Sequence, residues 1–289
     1  MKKALVFYSS ASGHGQYAKH RSAVLARLHN SFDVVDEFYS HNLKEGNEEI
    51  LGHASEYDAF IVAGGDGTLN MALNALMKLE KRPVVGFFPN GTLGDARRNL
   101  GLPRSWSKAL KTFEEGYNEP FDLVKLNDRY FFYMAAIGAY SDISYIVKRK
   151  DKKRWHRLAY YFASLKEAFA PIEVSYRLET ARETKEGKSP FLLLLNGSYV
   201  GGFKIHRRSD MHDGKVELFL TPKGPFNGLL SYFFAKKKVP CLSLDHALIH
   251  IENPSSWCLD GEEREMEDVE LSVVPNAIRF YVPQKGNKQ

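Results

Sequence analysis

Short apolar runs and helix-spaced apolar positions alternate along the first 120 residues. Residues 4–8, 32–39, 58–63 and 84–88 read as strands. Between them, residues 16–28 carry a helical pattern. Leu69, Ala72, Leu73, Leu76 and Leu79 recur at the spacing of one helix face, and residues 96–100 open a further helix. Strand alternating with helix predicts a parallel, doubly wound sheet. Past Pro120 the rhythm changes to runs rich in β-branched and aromatic residues: 121–126, 130–137, 173–179, 191–196, 215–220, 247–252, 270–274 and 278–282. These predict an antiparallel sandwich or barrel, interrupted by helices near 155–169 and 226–235. The fold class is therefore α/β followed by β. The expected domains are residues 1–122 and 123–289.

Composition changes this picture little. Of 289 residues, 44% are hydrophobic and 26% charged, as in an ordinary globular protein. The net charge of +5 (40 basic against 35 acidic) is too mild to point to nucleic acid. Two cysteines, Cys241 and Cys258, make neither a disulfide framework nor a zinc cluster, which suggests a reducing cytoplasm. Met1-Lys2-Lys3 imitates the start of a signal peptide, but the apolar run behind it is five residues long, too short for a signal core. No apolar run approaches the length of a membrane span.

Candidate chemistry gathers where the third strand ends, at Gly64-Gly65-Asp66-Gly67-Thr68. Ligands of open parallel sheets sit beyond the carboxyl ends of the strands. Glycines there permit positive φ and close backbone approach, so that amide N–H groups face phosphate oxygens. The helix behind the loop adds the positive end of its dipole. Asp66 would repel bare phosphates, so its presence points to a divalent cation. A second loop, Pro89-Asn90-Gly91-Thr92-Leu93-Gly94-Asp95, follows the fourth strand and suggests another wall of the same cleft. A competing pattern, Gly13-His14-Gly15-Gln16-Tyr17-Ala18 with Asp36 downstream, matches a dinucleotide fingerprint, but it leaves Gly64–Thr68 unexplained. Gly187-Lys188-Ser189 has the tail of a P-loop, yet Arg182 stands where its first glycine belongs.

Several of these motifs together resemble the diacylglycerol kinase catalytic-domain superfamily, which includes sphingosine and ceramide kinases. Its G-G-D-G-T-x-N is matched by Gly64 to Thr68 and Asn70. Its P-x-G-T-x-N-D-F-A-R-x-L-G is matched by Pro89, Gly91, Thr92, Asp95, Arg98, Leu100 and Gly101. Further matches are Asn196, Gly197, Gly201 and Gly202, then Asp213, Gly214 and Val216, and finally Asp260-Gly261-Glu262. Departures fall at Ser9, Ser10, Met71, Gly94 and Ala96.

The resemblance implies a nucleotide-binding domain like that of NAD kinase and phosphofructokinase, then a β-sandwich, with an active site between them. ATP and Mg²⁺ are the implied cofactors, and the implied reaction is phosphorylation of a hydroxyl of diacylglycerol or a related lipid alcohol. Glu262 would be the general base. Asp260, Asp66 and Asp122 would form an acidic network around catalytic magnesium. Asp213, with backbone carbonyls near Asp210 and Lys215, would hold a structural Mg²⁺. Nucleotide contacts would come from Ser12, Gly13, Ser40, Gly64, Gly65, Asp66, Gly67, Thr68 and Thr92. Asp260 and Glu262, two residues apart, would share one strand face.

A lipid kinase must reach a bilayer. Residues 148–157 carry seven Lys or Arg in ten, plus Trp155, and residues 226–234 precede Lys236-Lys237-Lys238. Either suits peripheral attachment, and either suits a solvated helix face. Partners expected are ATP and a lipid at the membrane surface but no nucleic acid; a homodimer stays open. Two other readings stay open: an NAD kinase, which shares the glycine loop, and a non-catalytic nucleotide or lipid sensor on the same fold.

Overall fold

The computed structural model describes residues 1–9, 16–89, 94–138, 173–222, 239–252 and 256–284. Ser12, Gly13, Thr92, the basic run 148–157 and both expected helices of the second half lie outside the described residues. The chain divides into two compact units. The first comprises Met1–Leu123, Gly197–Gly214 and the segment from Val274 onward; the second comprises Val124–Asn196 and Lys215–Val273. The contacts thus add two later segments to the block of residues 1–122 expected from the sequence.

The first unit is built on a parallel sheet. β1 (Lys3–Ser9) lies between β2 (Val34–Ser40) and β3 (Ala59–Gly64), and β4 (Val84–Pro89) pairs with β3. All six residues of β3 are buried, as a strand covered on both faces requires. One face packs Val6 and Ile61 against Tyr17, Val24 and Leu28 of α1 (Gln16–Leu28) and Leu110 and Phe113 of α5 (Trp106–Glu115). The other is covered by α2 (Leu43–His53) and α3 (Asp66–Leu76), with Gly46 of α2 close against the Phe7 ring. A short α4 (Asp95–Asn99) follows the second glycine loop. Beside β4, Phe280 near the end of β18 (Asp268–Tyr281) pairs in parallel with Val85. The sequence reading placed residues 278–282 in the β-domain; a strand's apolar pattern does not name its partner.

Among the described residues, the second unit is all β. Five strands follow an order set by antiparallel neighbours: β14 (Cys241–Leu244), β13 (Val216–Leu220), β10 (Phe191–Leu195), β7 (Met134–Gly138) and β16 (Ser256–Leu259), with β17 (Glu262–Glu265) at the edge. The second layer joins the first half of β18 to β15 (His246–Ile251), β8 (Val174–Glu179) and β9 (Thr184–Ser189). β5 (Asn118–Leu126), which begins in the first unit, forms a hairpin with β6 (Arg129–Phe131). Between the layers lies one apolar core that includes Phe131, Ile137, Leu178, Leu194, Leu218, Ile249, Trp257 and Leu271. This is the sandwich that the alternating runs predicted. β18 was expected as two strands broken at Pro275-Asn276; it is one strand, and Asn276 takes a φ of 52° within it.

Candidate functional site

The glycine loop ends β3 and starts α3. Gly65 is the N-cap, and Asp66 is the first helical residue, at the end of the helix where a negative charge is favoured. None of Gly64, Gly65 or Gly67 uses positive φ. The physical need for Gly64 is space instead. A Cβ there would stand 2.7 Å from Thr68 Cβ, so a side chain would push the first turn of α3 off the strand. Asp66 Oδ2 accepts the N–H of Asp95 at 3.1 Å, which joins the two glycine loops. Ser40 is buried at the end of β2, where its hydroxyl donates to the carbonyl of Asn42 at 2.6 Å and shapes the turn into α2.

Asp95 is 2% exposed and binds more than the sequence reading assigned to it. Its carboxylate accepts N–H groups from Gly201 at 2.7 Å and Gly202 at 2.8 Å. Burial pushes its pKa above the usual carboxylate range, and those two amides offset only part of the rise. Asn99, one turn later, bonds both backbone groups of Tyr199: its amide donates to the Tyr199 carbonyl, and its Oδ1 accepts the Tyr199 N–H, each at 3.0 Å. Gly197 lies so close to Asn99 that a Cβ would meet the amide at 2.7 Å. α4 therefore clamps the small hairpin of β11 (Tyr199–Val200) and β12 (Phe203–Lys204). Asn99 was absent from the expected set; the signal was its i, i+4 spacing from Asp95 on one helix face. Burial lowers the pKa of Arg97, and the nearby guanidinium groups of Arg98 and Arg104 lower it further.

Asp122 is also buried. Its Oδ2 accepts the Gly214 N–H at 2.7 Å, its Oδ1 accepts the Asn276 N–H at 2.8 Å, and its own N–H donates to Met211. It thereby pins the segment that contains Asp213, whose side chain is exposed, as is that of Asp210. Lys215 is exposed just before β13. Among the described residues, no three His, Cys, Asp or Glu side chains converge as a ready metal cage. A cation held by one or two carboxylates together with phosphate oxygens needs no such cage.

In the second unit Asp260 and Gly261 form the two-residue turn between β16 and β17, with φ values of 50° and 96°. That is the left-handed pair of a type I′ hairpin. Asp260 and Glu262 therefore do not share a strand face, as the two-residue spacing had suggested. Asp260 is buried and Glu262, paired with Leu259, is exposed. The Asp260 carboxylate accepts three successive backbone N–H groups: Phe132 at 2.6 Å, Tyr133 at 2.9 Å and Met134 at 3.1 Å. Asn196 grips the same bend, its amide donating to the Phe132 carbonyl at 2.7 Å.

The diacylglycerol kinase catalytic domain matches residues 3–126. The chain is 31% identical over 228 residues to a diacylglycerol kinase of Bacillus subtilis (strain 168), covering 77% of this chain and 75% of that one. A diacylglycerol kinase of Staphylococcus carnosus (strain TM300) is 30% identical over 224 residues, covering 77% and 73%. The fold of this chain matches the crystal structure of a diacylglycerol kinase from Bacillus anthracis with a TM-score of 0.78 at 18% identity, covering 98% and 97% of the two chains. A second structure from that organism matches with a TM-score of 0.85 at 21% identity, covering 98% and 96%. With 30–31% identity over 77% of its length to these relatives, the chain belongs to the diacylglycerol kinase catalytic-domain family of lipid kinases.

Proposed function

We propose that this chain transfers the γ-phosphoryl group of ATP to the free hydroxyl of diacylglycerol or a closely related lipid alcohol. The observation that carries the reading is the loop at Gly64 to Thr68, which presents Asp66 at the start of α3 in a chain whose relatives are named diacylglycerol kinases. Phosphoryl transfer asks a protein for positioning, charge neutralisation and a base. The amides of the glycine loop and the N-terminus of α3 bind the nucleotide phosphates. Asp66 fits a Mg²⁺ ligand, because a carboxylate at a phosphate site repels its ligand unless a cation bridges them. When bound, the metal supplies neutralisation of charge on the phosphate oxygens.

Glu262 takes the proton from the lipid hydroxyl. Asp260 holds the turn that presents Glu262, and Asp122 holds the segment around Asp213, which with the carbonyls of Asp210 and Lys215 suits a second, structural Mg²⁺. Ser12, Gly13 and Thr92 complete the nucleotide contacts. The protein works in the cytoplasm, peripherally attached to the membrane. No helix among the described residues is long and apolar enough to cross one.

The roles are tested by Glu262→Ala in a mixed-micelle assay with ATP and diacylglycerol. The reading expects activity to fall by about 10²–10⁴ with the fold intact. Near-normal turnover would remove Glu262 as the base.

A further inference from the structure

The hairpin clamped by α4 carries an apolar residue at its tip and cations along its base. Gly201 and Gly202, with φ values of 61° and 85°, form its two-residue turn. Phe203 follows and is 46% exposed, a large side chain partly open to water just past the turn. Lys204 comes next, its ammonium 5.6 Å from the centre of the Tyr199 ring. The chain then returns to the hairpin twice at Ser198. The Ile205 N–H donates to the Ser198 carbonyl at 2.8 Å, and the Ser198 hydroxyl donates to the Ser209 carbonyl at 3.3 Å. His206, Arg207 and Arg208 are thus held out as a short loop pinned at both ends, with both arginines exposed. Arg208 stands five residues from Phe203, so the two lie within about 18 Å. Arg98 lies beside Gly202, its guanidinium 3.7 Å from where a Cβ would sit, and is paired with Asp95 at 3.5 Å.

We infer that Phe203, Lys204, Arg207 and Arg208 form a docking surface for an anionic phospholipid bilayer, with Phe203 entering the interface and the cations meeting lipid headgroups. Charge complementarity identifies the partner. The stretch from Phe203 to Arg208 carries three cations and no acid. The acids next along the chain, Asp210 and Asp213, follow the loop's second anchor at Ser209. An exposed aromatic ring beside basic side chains is the composition of an interfacial anchor. A nucleic acid would use the cations but has no need of a single projecting ring on a two-residue turn. The clamp by Asp95 and Asn99 matters because a preorganised tip enters the interface without first being ordered. The inference rests on the lipid-kinase reading in one respect, that the substrate resides in a bilayer.

The experiment is sedimentation of the full chain with phosphatidylcholine vesicles, with and without phosphatidylglycerol, and with an RNA oligonucleotide as a separate polyanion. Wild type should bind the phosphatidylglycerol vesicles, more weakly as salt is added. The double substitution Arg207→Ala with Arg208→Ala should weaken that binding about 25-fold, at about fivefold per basic residue, and the pair Arg207→Lys with Arg208→Lys should restore most of it. Phe203→Ala should weaken vesicle binding and leave any RNA binding unchanged. Turnover of a water-soluble short-chain diacylglycerol should be unaffected in all these variants. Vesicle binding unchanged by the substitutions would overturn the inference. So would arginine variants that lose vesicle and RNA binding equally while Phe203→Ala changes neither. If the vesicle results hold but wild type phosphorylates no diacylglycerol, the surface stands and the substrate reading falls.

Discussion

Replacing Asp260 tests the turn that presents Glu262. Asp260 is 4% exposed, and its carboxylate accepts three backbone N–H groups at 2.6, 2.9 and 3.1 Å. Hydrogen bonds to a charged group contribute about 1.5–3 kcal/mol each, so the three together set an upper bound of about 9 kcal/mol. Asp260→Ala leaves the Phe132, Tyr133 and Met134 amides without this acceptor, and the vacated space admits a water that satisfies part of the set. The expected loss is therefore about 4–6 kcal/mol, to which an alanine at a φ of 50° adds about 1–2 kcal/mol. Against a usual domain stability of about 5–15 kcal/mol, that brings the variant close to unfolding. Asp260→Asn is the measurable partner. Asparagine tolerates the left-handed conformation and keeps one acceptor oxygen, but sets an NH₂ group against the Phe132 N–H; it should cost about 1–3 kcal/mol. Urea unfolding followed by circular dichroism reads both. Because a displacement of about 1 Å at a reacting group costs about 10²-fold, turnover of the folded Asp260→Asn variant should fall as well. A loss below about 1 kcal/mol for Asp260→Ala, or equal losses for Ala and Asn, would refute the amide cradle.

Asp66→Asn should leave stability within about 1 kcal/mol, because the amide's carbonyl still accepts the Asp95 N–H, while turnover falls about 10²–10³-fold on loss of the charge; steady-state kinetics at several Mg²⁺ concentrations checks this. Gly138→Ala should cost about 3 kcal/mol or more in thermal unfolding, since its Cβ would stand 2.4 Å from the Pro190 carbonyl oxygen at a φ of +114°. Burial pushes the Cys258 thiol up to about 12, so it stays neutral as pH rises through 8, with about one molecule in 10⁴ as thiolate. In a Cys241→Ser background, which removes the exposed cysteine, a thiol reagent at pH 8 should label Cys258 only after unfolding; rapid labelling of that native variant would contradict the placement.

How much of this was legible follows from where each signal lies. Gly64 to Thr68 announced itself because strand, loop and helix are contiguous, and the strand–loop–helix order is as read. Helix α2 gave little pattern to see, since only Gly46 and Ile50 of its eleven residues are buried. The edge strand β9, with the sequence TKEGKS, is polar along most of its length and buries only Ser189. Pairing was beyond reach for a different reason: the contact between Phe280 and Val85 joins residues 195 positions apart, and each run is equally apolar whichever neighbour it has. In the site, spacing alone misread Asp260 and Glu262. The positive φ at Asp260 makes the stretch a turn, and a turn places the two carboxylates in different surroundings. Asp95 and Asp122 could be noticed as acids, but their backbone partners at Gly201, Gly202, Gly214 and Asn276 are visible only once the chain is folded.

The most direct test of the central claim sets two acceptors side by side. The purified chain is incubated with γ-labelled ATP and Mg²⁺, and offered dispersed diacylglycerol in one tube and NAD in another. Label should appear in the phosphorylated lipid, and Asp66→Asn and Glu262→Ala should each lower it by about 100-fold or more. Label in the dinucleotide and none in the lipid would contradict the claim.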